Sequence, residues 1–271
     1  TSAKTGKEIS ALLNPLETGF ETGVVTSLTM PVETRVYNRC DSLGNFGSQT
    51  IEISQKSFDK WTETSDGAVF PNKYIFSGNV EEGKNFILFS KPFDLSFKVS
   101  DLIYLTSAKE KYCFFKAPKD IKEELENLGQ ENILVEDVEC SEGSVEICFS
   151  KTAGNDFENC EIKVNQIQNS VEKDGKIMYY ETDALMYGAI FSDKTVYECQ
   201  VKRLMKRTEQ LSILYEEKSV LLSSEGCEDT IDTQSLEISA SSLSDSQDLS
   251  AVANSASVIN RQNEVATCRL W

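Results

Sequence analysis

The stretch DKTVYECQVKRLMKR, residues 193–207, marks the point at which the hydrophobic periodicity of this sequence changes from that of strands to that of helices. Tyr197, Val201 and Leu204 recur at helical spacing, which places Val201 and Leu204 within about 40° of Tyr197 on a helical wheel. Ser192 lies just ahead of the stretch, and either it or Asp193 can cap the start of a helix. The stretch therefore predicts that a long amphipathic helix begins here.

Four cations of the same stretch fall on the opposite side of the predicted helix: Lys202, Arg203, Lys206 and Arg207. Charged residues opposite an apolar stripe generally form a solvated helix face, and acidic residues follow within reach as ion-pair partners. The alternative role is docking to an acidic protein surface, including that of a neighbouring copy of this chain. We therefore expect an outward-facing cationic face, with partner docking as its candidate function.

Upstream of this helix, the pattern predicts a β-rich body that spans residues 1–191. Short runs with period-two or continuous apolar character alternate with turn-forming Gly, Asn, Asp and Pro residues. We expect antiparallel hairpins with tight turns at the dipeptides Asp174-Gly175 and Glu142-Gly143, because such turns require positive φ. One short amphipathic helix near 119–129 is expected to interrupt the strands.

Residues 192–271 are predicted to form a C-terminal antiparallel helical hairpin, packed on the body or projecting from it. A break near Gly226 ends the first helix, and apolar residues continue at helical spacing from about Thr230 to Ile259. The serine-rich middle of this segment is also typical of a linker, but the apolar spacing persists through it. The expected fold class is therefore α+β, with parts at 1–191 and 192–271.

Eight cysteines lie along the chain: Cys40, Cys113, Cys140, Cys148, Cys160, Cys199, Cys227 and Cys268. Their even number, with no C-x-x-C pair, predicts disulfides formed outside the reducing cytosol, and eight buried free thiols are the alternative. In an antiparallel helix pair, Cys199 and Cys268 come together at one end. We therefore predict a Cys199–Cys268 disulfide, and we expect Cys227 to meet the β-rich body.

Composition excludes several classes of function. The chain has no histidine, which removes Ser-His-Asp and Cys-His nucleophile systems and nearly every catalytic zinc site. Its net charge of -17 opposes binding to nucleic acid and to anionic membranes. No nucleotide-binding, hydrolase or calcium-loop motif occurs, so we expect no cofactor, no metal and no marked catalytic residue. The many carboxylates leave a glycosidase-type acid pair open.

Six stretches, in order along most of the chain, carry a resemblance: LLNPLETGFETG, PVETRVYNRCDSLGNFGSQTIEIS, GKNFILFSKPFDLSFKVSDLIYL, YCFFKAP, AIFSDKTVYECQVKRLMKR and CRLW. Together they resemble uncharacterised archaeal proteins of small-genome lineages, in which a pilin-like or anchoring N-terminal helix precedes an extracytoplasmic domain. The resemblance implies a cell-surface location, with membrane attachment only through an N-terminal anchor that is not present in this chain.

These observations lead to two expected functions. The first is a non-enzymatic, disulfide-stabilised ectodomain for adhesion, envelope structure or assembly with other surface proteins or with copies of itself. The second is a secreted or surface-anchored hydrolase that uses paired carboxylates, for example on glycans.

Overall fold

The computed structural model describes residues 25–64, 67–150, 160–227 and 231–271, which form thirteen strands in two sheets and five α-helices. This confirms the predicted α+β class. The first sheet contains β1 (Val25–Asp41), β2 (Ser48–Ser57), β3 (Lys60–Trp61), β4 (Ala68–Phe70), β5 (Tyr74–Phe76), β6 (Val80–Asp94) and β7 (Lys98–Ser107). The second contains β8 (Tyr112–Phe115), β9 (Ile133–Glu136), β10 (Val145–Ser150), β11 (Ile162–Asn165), β12 (Ser170–Lys173) and β13 (Lys176–Tyr179). The helices are α1 (Lys119–Asn127), α2 (Asp183–Phe191), α3 (Lys194–Ser224), α4 (Gln234–Ser241) and α5 (Leu249–Val265).

The middle of β6 and most of β7 are buried on both faces, and their alternate residues enter two different cores. Phe86 and Leu88 pack in a small core that the first sheet encloses. Ile87 and Phe89 belong to the larger core, which the helices and the second sheet also form. The continuous apolar runs of these strands follow from this arrangement, because a strand covered on both faces has no solvent-facing alternate positions.

The first sheet has the strand order β3-β2-β1-β6-β7-β5, and it curls so that side chains of β1 and β2 reach β5 at the end of that order. The N–H of Ile75 in β5 donates to Gln49 Oε1 at 2.9 Å. The carbonyl of Ile75 accepts from Gln49 Nε2 at 2.7 Å and from Asn38 Nδ2 at 3.0 Å. The amide of Gln49 therefore satisfies the free edge of β5 in place of a neighbouring strand.

The second sheet is mixed and has the order β13-β12-β11-β10-β8-β9. The β12–β13 hairpin confirms the turn predicted at 174–175, where Asp174 and Gly175 have φ values of 52° and 67°. The hairpin predicted at Glu142-Gly143 was wrong. Gly143 does have positive φ, but the strand that follows it, β10, pairs in parallel with β8 and β11. The preceding strand β9 lies on the far side of β8, so the two strands that flank this turn are not neighbours.

Helix α1 confirms the short helix expected near 119–129, whereas α2 was not predicted. Every residue of α2 after Asp183 is buried, so the helix has no polar face that would reveal helical periodicity in the sequence. A Cβ at Gly188 would lie 2.8 Å from the ring of Phe76. The helix therefore contacts β5 as closely as its backbone permits.

The C-terminal helices run up, down and up again. Helix α3 is followed by an antiparallel α4, since Thr233 bonds to the carbonyl of Ser212 and Ser246 bonds further back to Glu198. The second predicted helix is broken between α4 and α5, and α5 reverses direction. The aromatic ring of Trp271, beyond α5, then packs 5.2 Å from that of Tyr215 on α3.

This reversal explains why the predicted Cys199–Cys268 disulfide was wrong. The end of α5 lies at the C-terminal end of α3, where Cys268 bonds to Cys227. Cys199 lies near the opposite end of a helix of 31 residues, roughly 40 Å away along the axis. It bonds instead to Cys40 at the end of β1. The remaining disulfides are Cys113–Cys140 and Cys148–Cys160.

The predicted division at 191/192 falls between α2 and α3. The larger core continues across it, because Tyr104 and Phe114 of the sheets and Tyr197 and Leu204 of α3 belong to one hydrophobic cluster. The C-terminal helices thus pack on the body.

Removing the Cys40–Cys199 disulfide should destabilise the fold more than removing Cys148–Cys160. The first bond joins residues 159 apart and the second joins residues 12 apart. Loop-closure entropy gives losses of about 5 and about 3 kcal/mol. Urea unfolding of the two Cys→Ser double variants, with the other disulfides kept oxidised, measures the difference. A larger loss for the 148/160 variant would contradict this account.

Candidate functional site

A cleft of about 460 Å³ lies between the first sheet, the second sheet and the junction of α2 with α3. The first sheet contributes the start of β6 and the end of β7. Its apolar wall is formed by Tyr112, Val145, Ile162 and Phe191. Concave sites that combine an apolar wall with a few convergent polar groups are the usual form of a binding site. We therefore take this cleft as the candidate functional site.

The polar groups of the cleft are mostly acidic. Six carboxylates line it: Glu81, Glu82, Glu110, Glu161, Asp174 and Asp193. Among the described residues, Lys173 is the sole cation in that lining. A smaller adjoining cavity of about 260 Å³ shares Lys173, Asp174 and Asp193 with the cleft and is also lined by Lys176 and Lys194. The cleft therefore favours a cationic group on whatever enters it.

Glu81 lies at the start of β6, and both of its carboxylate oxygens are hydrogen-bonded. Oε1 accepts the N–H of Gly78 at 3.0 Å, and Oε2 accepts the N–H of Ser107 at 3.1 Å. Burial raises the pKa of Glu81 from 4.5 to about 7, because desolvation outweighs these two hydrogen bonds and the attraction of Lys173. The carboxyl is thus poised to change its charge near neutral pH.

Lys173 ends β12 and closes the C-terminal end of α2. Its ammonium donates to the carbonyls of Ile190 at 3.2 Å and Ser192 at 3.3 Å. Carbonyls at a helix C-terminus lack partners within the helix and carry partial negative charge, so a cation is stabilising there. Burial lowers the pKa of Lys173, against the opposing attraction of Asp193 and Glu81.

Asp193 precedes α3, as predicted for a capping residue, but its side chain makes no capping bond. Its Oδ2 instead accepts from the backbone N–H of Asn79 at 2.7 Å and from Asn79 Nδ2 at 2.6 Å. Asp193 therefore ties the start of α3 to the turn between β5 and β6.

Glu81 and Asp193 approach each other across Gly78. A Cβ at Gly78 would lie 3.0 Å from Glu81 Oε1 and 3.8 Å from Asp193 Oδ2. Oε1 of Glu81 and Oδ2 of Asp193 are thus at most roughly 7 Å apart, so one bound group can contact both carboxylates. Perturbed pKa values in a cleft are a common mark of functional sites. Sequence reasoning missed this group because its members come from distant elements and their burial leaves no local pattern.

The cationic face predicted on α3 packs largely against the first sheet and its loops, although it was expected to face solvent. Arg203 has no exposed surface, so the outward-facing prediction was wrong for this residue. Lys206 donates to the carbonyls of Ser42 and Gly44, and Arg207 donates through Nε to the carbonyl of Val99. Lys202 is partly exposed. Three of the four cations therefore bind backbone oxygens of the first sheet and its loops.

The guanidinium of Arg203 is satisfied entirely by neutral groups. Its Nε, Nη1 and Nη2 donate to five acceptors at 2.8 to 3.3 Å: the carbonyls of Phe46, Phe70, Pro71 and Lys73, and Gln200 Oε1. The guanidinium also lies 4.9 Å from the ring centroid of Tyr74. Burial lowers the pKa of Arg203, and the side chain stays charged because its ordinary pKa is so high.

All eight cysteines are disulfide-bonded, as the sequence predicted. In the part of the chain that the structure describes, one group of potential metal ligands occurs, Glu146 with Cys148 and Cys160. The two sulfurs of that group are bonded to each other, so they are not thiolate ligands.

No protein-family model, curated protein or solved structure matches this chain. Among the described residues, no helix has the length and apolar character needed to cross a membrane.

Replacing Arg203 by Lys should lower the free energy of unfolding by about 3 to 5 kcal/mol, because an ammonium cannot reach all the carbonyls that the guanidinium fork satisfies. Charge is conserved, so the loss reports the geometry of the fork. Chemical denaturation measures it, and Lys202→Gln on the same helix is the control, with a change within about 0.5 kcal/mol. Wild-type stability of Arg203→Lys would show that the fork does not hold the helix.

Ionisation of Glu81 should make the protein less stable as pH rises from 4.5 to 7. The folded-state pKa is about 7 and the ordinary value is 4.5, so the unfolded chain loses its proton first within this window. The folded state retains the proton and loses up to about 3 kcal/mol of stability by the upper end. The loss is absent below pH 4.5, where both states are protonated.

Urea unfolding between pH 4.5 and 8 isolates this effect by comparison with Glu81→Gln, which should have a weaker pH dependence in that window. Glu131→Gln, at an exposed position outside the lining of the cleft, should keep the wild-type dependence. Parallel curves for wild type and Glu81→Gln would refute the assignment.

Proposed function

We propose that this chain is the extracytoplasmic domain of a cell-surface protein, that it works by binding without catalysis, and that it serves adhesion, envelope structure or assembly with other surface proteins. The observation that carries the proposal is the closure of all eight cysteines into four disulfides. Disulfides of this number persist in oxidising compartments and are rare in the cytosol.

The disulfides also suit exposure outside the cell because of what they join. Cys40–Cys199 fixes α3 to β1, and Cys227–Cys268 fixes the C-terminal segment to α3. Cross-links between distant segments restrict the unfolded chain most, which favours persistence where chaperones are absent. The resemblance to archaeal surface proteins supports an archaeal, membrane-anchored or pilin-like setting for the same domain.

The cleft supports a binding role. Both oxygens of Glu81 and Oδ2 of Asp193 already accept hydrogen bonds from the protein, so these carboxylates act as fixed structural acceptors. The exposed carboxylate of Glu110 lines the same cleft. We propose that the acidic lining and apolar wall receive a basic side chain of a partner surface protein or of a second copy.

Peptide mapping under non-reducing conditions, on protein isolated from its own cells, tests the location. We expect the four pairings described above, together with labelling of intact cells by a membrane-impermeant amine reagent. Free thiols at these positions in native protein would overturn the extracytoplasmic assignment.

Charge reversal tests the binding role. Glu110→Lys places a cation in the cleft, and Glu131→Lys makes the same change in net charge at an exposed position outside its lining. We expect Glu110→Lys to reduce binding of the purified domain to cells or to its surface partners at least tenfold, and Glu131→Lys to leave it unchanged. Equal binding by both variants would exclude the cleft as the binding site.

A hydrolase with paired carboxylates is the second candidate, supported by the spacing of Glu81 and Asp193 and by the raised pKa of Glu81. A glycan panel incubated with the wild type, Glu81→Gln and Asp193→Asn separates the two candidates. Turnover by the wild type that both variants abolish would favour the hydrolase, and no turnover would favour binding.

A further inference from the structure

A second cavity, of about 410 Å³, lies on the first sheet where the start of β7 meets α3. Three cations line it, Lys73, Lys98 and Arg207, together with one carboxylate among the described residues, that of Asp101. The cavity therefore has an excess of positive charge in a chain whose net charge is -17. Its position and charge both distinguish it from the acidic cleft.

Arg207 has the geometry of an anion receptor. Its Nε donates to the carbonyl of Val99 at 2.7 Å, which fixes the plane of the guanidinium. Nη1 and Nη2 donate to no acceptor among the described residues, whereas the same atoms of Arg203 donate to four. The two Nη groups of an oriented guanidinium match the two oxygens of a carboxylate or phosphate.

The other cations reinforce this charge from the remaining sides. Lys73 is only 3% exposed, and a charge in so little water acts more strongly on a ligand than one at the surface. Lys98 is 58% exposed along its side chain and pairs with Asp101 at 2.9 Å. Asp101 is thus an internal competitor of the ligand for Lys98.

The overall negative charge of the chain does not prevent such binding. At physiological ionic strength, charges farther away than about 8 Å are largely screened. A ligand in the cavity lies within that distance of the cations that line it, so the local charge decides the interaction.

We propose that this cavity binds a small oxyanion ligand, one that carries a carboxylate or a phosphate group, with Arg207 as the bidentate contact and Lys73 and Lys98 as supporting charges. The volume admits a small molecule. The site is independent of the acidic cleft, so its failure would leave the proposed function of that cleft untouched.

Isothermal titration of the intact domain with inorganic phosphate and, separately, with succinate tests the proposal at fixed pH and chloride concentration. We expect saturable binding of at least one, and the preferred anion identifies the ligand as phosphate-bearing or carboxylate-bearing. Arg207→Gln should weaken binding roughly tenfold or more, because a charge-assisted contact is lost.

Two further variants keep the test decisive if Arg207→Gln folds poorly. Asp101→Asn removes the internal competitor and should tighten binding several-fold, while Lys98→Gln changes an exposed side chain and should weaken it several-fold. Lys202→Gln, on the same helix but outside the cavity lining, should bind as the wild type does. Absence of saturable binding to the folded wild type, or binding that none of the three cavity variants alters, would overturn the proposal.

Discussion

The buried guanidinium of Arg203 is the interaction on which the arrangement of helices and sheet depends. Removing a charge from water is costly, and no carboxylate among the described residues offsets that cost. The five acceptors come from three places: the loop before β2, the segment around β5, and α3 itself. Because a rigid fork must meet all of them at once, it fixes the rotation and the axial position of α3. The position of α3 in turn determines where Asp193, just before the helix, and Arg207, one turn beyond Arg203, are placed.

Much of the fold was predictable, because it rests on local patterns. The apolar stripe of Tyr197, Val201 and Leu204 is buried as predicted, and the turn at Asp174-Gly175 has the conformation that its residues favour. A helical wheel, however, gives only the direction of each side chain around the helix axis. It does not show which other elements of the protein pack against the polar face. Arg203 was assigned to water for this reason, although α3 is covered there by the loops of the first sheet. Helix α2 was not predicted, because a helix that is buried on all sides has no alternation of apolar and polar residues in its sequence.

The disulfide pairing and the candidate site could not be predicted from the spacing of residues along the sequence, because both depend on the tertiary fold. Pairing of Cys199 with Cys268 required one unbroken second helix, and the reversal between α4 and α5 moves the C-terminus to the other end of α3. Glu81, Lys173 and Asp193 belong to β6, β12 and the start of α3, and nothing in the sequence joins them. Likewise, the net charge of -17 describes the average surface and hides a cavity in which three cations converge.

The disulfides at the two ends of α3, one within the helix and one just beyond it, determine how the domain would carry tension. Cys40 joins the chain to one end of α3, and the pair Cys227–Cys268 joins the other end to the C-terminus. A force applied between Val25 and Trp271 would follow residues 25–40, cross to 199–227 and leave through 268–271. The long segments 41–198 and 228–267 would lie in covalent loops off the load path. Unravelling by pulling would thus release only a small fraction of the contour length, and most of both sheets would bear no stretching force.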